Sequence, residues 1–96
     1  MSDDTLEELK AWYIGSLQER IEALEGPISA CREGGGSEEA EKTIRQIAHS
    51  LRGSGATYGF PQITEAAAAV EDAPEADLVG LADTLIDVLK STAGEG

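Results

Sequence analysis

The sequence predicts an all-α protein, an antiparallel up-and-down bundle of four helices with a kinked or two-part first helix. Three observations carry that prediction. Leu, Ile and Val recur at three- and four-residue steps, the spacing of one helix face, in successive stretches of the chain. The alternation of polar and apolar residues that marks a strand lasts nowhere for more than a few positions, and the threonines lie scattered among Ala, Leu and Glu. Short connections join the stretches, which favours antiparallel neighbours. A chain of 96 residues can bury one modest core and has no room for a second. Residues 1–96 therefore read as one domain, with a core over about 4–92 and a flexible tail at 93–96.

Asp3 and Asp4 can cap the first helix, on which Leu6, Leu9, Tyr13, Leu17, Ile21 and Leu24 follow one face. Gly26-Pro27 interrupts this seam, because the proline ring clashes with the carbonyl of Ala23, yet Ile28 and Cys31 continue the stripe. A kinked helix and two abutting helices both satisfy that pattern. The consecutive glycines Gly34 to Gly36 cost too much backbone entropy to stay helical, and Ser37 offers a cap before Glu38 and Glu39 at a positive helix end. The second helix carries Ile44, Ile47, Ala48 and Leu51 on one face and runs to about Tyr58, where Gly59 suits a left-handed terminating position. Pro61 opens a third, with Ile63, Ala66, Ala67 and Val70 inward, and Ala73-Pro74 ends it. A last helix from about Glu75 to Thr92 directs Leu78, Leu81, Leu85, Val88 and Leu89 inward, leaving Gly94-Glu95-Gly96 as a frayed end.

The formal charge of −12, from seven basic and nineteen acidic side chains, argues against nucleic acid and anionic membranes as partners. Met-Ser-Asp-Asp at the start lacks the basic segment and apolar run of a signal peptide, and no apolar stretch approaches a membrane span, so a cytoplasmic location is expected. Cys31, the only cysteine, has no internal disulfide partner. Its apolar spacing with Ile21, Leu24 and Ile28 is that of a buried small hydrophobe.

His49 is the only histidine, and on a helix it lies about 140° from Ile44, away from the apolar stripe and toward solvent. Lys42, Arg45, Gln46, Arg52, Gly53 and Ala56 share its face by three-, four- and seven-residue spacings. Three of the seven basic residues of an acidic chain thus gather around one imidazole. An ordinary surface histidine on a solvated helix accounts for the charges but not for the glycines. Gly53, one turn on, weakens a helix by about 0.5–1 kcal/mol relative to Ala, and Gly55 repeats that cost. Bare backbone beside an imidazole leaves room for another protein's loop, while Arg52 can meet phosphoryl oxygens. The combination suits phosphoryl transfer between proteins.

The segment Ala48-His49-Ser50-Leu51-Arg52-Gly53-Ser54-Gly55-Ala56-Thr57-Tyr58-Gly59-Phe60 resembles the signature of histidine phosphotransfer (HPt) domains. That family places an apolar residue two after its histidine, Lys or Arg three after and Gly four after. Small residues follow, then an apolar or aromatic residue nine after and Gly ten after. Each position is filled in kind here. Ile63-Thr64-Glu65-Ala66 and Val70-Glu71 resemble the family's next helix, in which an acidic or amide residue 22 positions after the histidine lies beside its ring; Glu71 stands there. The likeness covers Ala48 to Asp72, about a quarter of the chain. Arg52 replaces the commoner lysine, and its planar fork can hold phosphoryl oxygens in pairs, which bears on the receivers that dock. Phe60-Pro61 resembles the amino-terminal phosphotransfer domain of chemotaxis kinases, so a stand-alone carrier and a piece of such a kinase both stay open. The starting Met and polar tail favour the former.

The resemblance implies that His49 is the phosphorylated nucleophile, attacking through its outward Nε2. Arg52 then stabilises the phosphoryl group and Glu71 orients the ring. Lys42, Arg45, Gln46, Gly53 and Ala56 form the expected docking face, with Arg45 adding positive charge near the imidazole. Response-regulator receiver domains and a histidine kinase are the implied partners of a monomeric carrier that passes the group between receiver aspartates. No intrinsic cofactor or metal site is expected; Mg2+ would belong to the partner receiver. The chain itself is not expected to be a kinase, since it has no nucleotide-binding glycine loop leading into a helix with Lys-Ser/Thr and no length for an ATPase domain. Two other classes compete. A non-catalytic receiver-binding module is disfavoured by the intact His49, and a structural acidic protein or nucleic-acid mimic by the basic patch and costly glycines.

Overall fold

The computed structural model describes residues 3–34 and 38–95. Helix α1 spans Asp3–Arg32, α2 Glu38–Tyr58, α3 Pro61–Glu71 and α4 Leu78–Glu95, with one 3-10 turn, Glu75–Asp77, leading into α4. No strand occurs among the described residues. α1 packs on α2 and α4, and α3 closes the ring against the same two helices. Along the α1–α2 and α2–α3 seams the contacts run in opposing order, as between antiparallel neighbours. Tyr13 of α1 meets Ser54 late in α2, whereas Cys31 lines a cleft with Glu41 early in α2. Arg45 reaches Glu71 while the Arg52 carbonyl accepts from Thr64. Gln62 at the start of α3 meets Thr92 near the end of α4, and Arg32 pairs with Asp83 across α1 and α4.

The predicted stripes supply the core. Tyr13, Leu17, Ile21, Leu24 and Ile28 of α1 are buried against Ile44 and Leu51 of α2, Ile63 and Val70 of α3, and Leu78, Leu85 and Leu89 of α4. Leu81 and Val88 lie half-buried at its edge. α1 runs unbroken through Pro27, so the two-part form is not adopted. The proline removes one backbone donor, but Leu24 and Ile28 on either side of it are both buried on the stripe of the continuous helix. Cys31 is half-buried, not fully buried as its spacing implied. Partial burial pushes its thiol pKa up, and the nearby Glu41 and Glu75 carboxylates reinforce that.

The ends of α1 and α4 depart from expectation in opposite directions. Leu6 and Leu9 continue the apolar stripe yet are 52% and 46% exposed, and Trp12 is 65% exposed. Gly59, just past the end of α2, already lies beside the Lys10 stem, so the first two turns of α1 have no α2 residue alongside them. α4 instead remains helical through Glu95, beyond the expected frayed end. Thr92 is buried and its hydroxyl donates to the Val88 carbonyl at 2.8 Å, and Ala93 packs on the core, which ties the last turn down. The side chains of Asp3 and Asp4, and residues Gly35 to Ser37 and Gly96, lie outside what is described, and with them the caps expected at Asp3, Asp4 and Ser37. No helix among the described residues is long and apolar enough to cross a membrane.

Candidate functional site

α2 ends in a Schellman motif: the Phe60 N–H donates to the Gly55 carbonyl at 2.7 Å, the Gly59 N–H to Ala56 at 3.3 Å, and Gly59 takes a φ of 84°. Phe60 then caps α3, with Pro61 at its first turn. Tyr13 anchors this corner by stacking on Tyr58 at 4.6 Å and on Phe60 at 5.7 Å, while its hydroxyl meets Ser54 at 2.8 Å. The tight reversal lays α3 back along α2.

His49 sits on that seam. Ala48 and Leu51 point into the core, and a turn of about 100° from Ala48 carries His49 outward, where its side chain is 75% exposed. Its Nδ1 lies 2.5 Å from Oε2 of Glu71, the last residue of α3. A carboxylate only accepts, so the neutral ring donates Nδ1–H and presents the Nε2 lone pair to solvent. The other Glu71 oxygen accepts from Arg52 Nη1 at 3.2 Å. The hydrogen bond from His49 holds the Glu71 carboxyl below the usual carboxylate pKa; desolvation opposes this, and the Arg52 bond and charge add to it.

The other expected site residues divide into three groups. Arg45 sends Nη1 to the carbonyls of Val70 at 3.3 Å and Glu71 at 3.0 Å, so its guanidinium is engaged with the end of α3. Lys42, Arg45, Gln46, His49 and Glu71 line one cleft of about 700 Å³. Gly53 and Ala56 lie exposed farther along the same face, outside that cleft, and a Cβ on Gly53 would meet nothing within 4 Å.

Gly55 has another reason to be glycine. It is buried, and a Cβ there would stand 2.7 Å from Thr64 Oγ1 and 3.0 Å from the Thr64 backbone nitrogen. The Thr64 hydroxyl itself donates to the Arg52 carbonyl at 2.9 Å. Close approach of α3 to α2, not open space beside the imidazole, requires this residue.

Glu38, Glu41 and Glu75 complete the walls of the cleft and were not among the site residues read from the sequence. Glu38 lies 11 positions before His49, three helical turns, so helical spacing alone was able to find it. Glu75 reaches the cleft only because the α3–α4 connection folds back. The basic face is therefore bordered by carboxylates. Among the described residues, no group of three or more His, Cys, Asp or Glu side chains could hold a metal ion.

A family model described as Hpt domain matches residues 8–93. No curated protein and no solved structure matches the chain significantly.

Proposed function

The chain belongs to the Hpt domain family, the phosphotransfer modules of two-component signalling, and from that premise we propose that His49 carries the phosphoryl group between receiver-domain aspartates. The observation that supports this most is the pairing of an outward Nε2 with an Nδ1 tied to Glu71. The Nε2 lone pair attacks the phosphorus of a receiver's phosphoaspartate in line, the N–P bond forms as the P–O bond to the aspartate breaks, and the aspartate leaves as a carboxylate. The ring gains positive charge in this step, which the Glu71 anion stabilises through Nδ1–H. Arg52 is held on Glu71 beside the ring and swings its remaining donors onto the phosphoryl oxygens. Delivery to the next receiver is the reverse reaction.

In this reading Lys42, Gln46, Gly53 and Ala56 form the surface the receiver covers, and the receiver brings its own Mg2+. Hpt domains are carriers without kinase activity of their own. The phosphoryl group accordingly originates with a histidine kinase, and a monomer acting in the cytoplasm as a single domain fits that role. The test is His49→Gln. It should keep the helical circular dichroism of the native protein and lose all acid-labile, base-stable label from a phosphorylated receiver. Label that persists on the variant removes His49 from the chemistry.

A further inference from the structure

Three residues of α2 hold one residue of α3. Arg45, His49 and Arg52 follow at spacings of four and three on one face of α2, and each meets Glu71: Arg45 its backbone carbonyl, His49 one carboxylate oxygen, Arg52 the other. The backbone contact answers a deficit built into the sequence. The last carbonyls of a helix have no intrahelical donors, and a tightened final turn would satisfy them from three residues on. The Val70 carbonyl is met in that way by the Ala73 N–H at 3.2 Å. For Glu71 the corresponding residue is Pro74, which has no N–H. Arg45 supplies the missing donor from the neighbouring helix, with a cation at the negative end of α3.

We infer that Arg45 is a positioning residue: by holding the Glu71 main chain it places the Glu71 carboxylate, and through it fixes the His49 ring as the Nδ1–H tautomer with Nε2 free. The consequence for phosphoryl transfer rests on the reading of His49 as the carrier, but the tautomer does not. The guanidinium acts at the α3 end, with the ring reached only through Glu71.

The experiment uses Arg45→Met, which keeps the aliphatic stem and removes the donors, and Arg45→Lys, which returns a cation with donors on a narrower head. Imidazole 15N resonances, recorded without any phosphodonor, report which ring nitrogen carries the proton. Native protein should show the Nδ1–H form, Arg45→Met a mixture of tautomers, and Arg45→Lys a return toward native. Acceptance from a phosphorylated receiver should slow in Arg45→Met by about tenfold in kcat with little change in KM, short of the roughly hundredfold that a 1 Å misplacement can cost. Combining Arg45→Met with Glu71→Ala should slow transfer no further than Glu71→Ala alone, because both act through one contact. A native tautomer in Arg45→Met, or rate losses that multiply in the double variant, overturns the inference. Should Arg45→Met lose its helical fold, Arg45→Lys decides the matter: its stem is shorter than the reach of the single Nη1 that meets both carbonyls, so a partial shift of tautomer is then required. A tautomer that depends on Arg45 in a protein that accepts no phosphoryl group would leave the positioning role standing and sink the carrier reading instead.

Discussion

Gly53 and Gly55 lie two residues apart on α2, carry the same intrinsic cost to a helix, and occupy opposite environments. Around Gly53 the helix faces open solvent, and around Gly55 it touches the side chain and backbone of Thr64. The open region holds the exposed His49 ring one turn away, while the closed region sets the distance between α2 and α3, on which the Glu71 contact depends. A reactive group that another protein must reach needs both conditions at once: a face free of side chains, and a seam behind it packed closely enough to hold the orienting carboxylate. One helix provides them by placing glycine on two of its faces.

The strongest test of that contrast is Gly55→Ala. A methyl group at 2.7 Å from Thr64 Oγ1 and 3.0 Å from the Thr64 backbone cannot be accommodated without moving α3. Overpacking of this kind costs about 1–3 kcal/mol, and the better helix propensity of alanine returns only about 0.5–1 kcal/mol. A net loss centred on about 1 kcal/mol, and at most about 2.5 kcal/mol, should lower the thermal midpoint by about 4–8 °C for each kcal/mol. Thr64→Ala in the same chain removes the nearest clashing atom and should recover part of the loss. A midpoint that stays level or rises in Gly55→Ala would mean that the two glycines are equivalent after all.

The divide between what the residue pattern revealed and what it hid follows the same line. Four helices, the buried stripes from Tyr13 to Ile28 and from Leu78 to Leu89, and the outward His49 were legible because each is a property of one helix and its period. The Glu71 pairing came from the family spacing. What periodicity cannot carry is the distance between helices and how far a neighbour extends. The Gly55 methyl clash depends on how closely α3 approaches, and Leu6 and Leu9 share the core stripe yet emerge where α2 has already ended. Arg45 was read as part of the docking face, but its hold on α3 was hidden for a related reason, since a side chain that binds backbone carbonyls 25 and 26 residues away needs no particular residue type there and leaves no mark on the local sequence.

Gly53 tests the open side, with a smaller effect on stability. Because a Cβ there meets nothing, Gly53→Ala should raise stability by about 0.5–1 kcal/mol, read as a higher unfolding midpoint. Gly53→Gln should also stay folded while laying a longer side chain across the approach to His49. Phosphoramidate, being small, should still label this variant at the native rate, whereas a phosphorylated receiver should transfer poorly. Both reactions and the midpoint are to be measured on one preparation. Receiver transfer at the native rate would show that no partner needs this face bare, and Gly53 would then differ from Gly55 only in lacking a neighbour.

The smallest effect is expected where the two regions join, at Glu71, and it appears only as pH falls. Bonding to His49 and Arg52 holds this carboxyl below its ordinary value of 4.5, so the folded protein binds the proton less readily than the unfolded chain does. The stabilisation is complete above the unfolded value and disappears as pH drops through the lower folded one. Partial exposure of Glu71, and the half-exposed Arg52 beside it, keeps the contribution modest and sensitive to salt. Glu71→Gln keeps the shape and removes the titration. Urea unfolding of both proteins from neutral pH down to about pH 3, at low and high salt, should show native protein the more stable above the carboxylate range, with the gap closing in acid and narrowing with salt. A gap that is constant with pH would mean that Glu71 contributes through packing alone, and the ion pair would then have no part in holding α3 to α2.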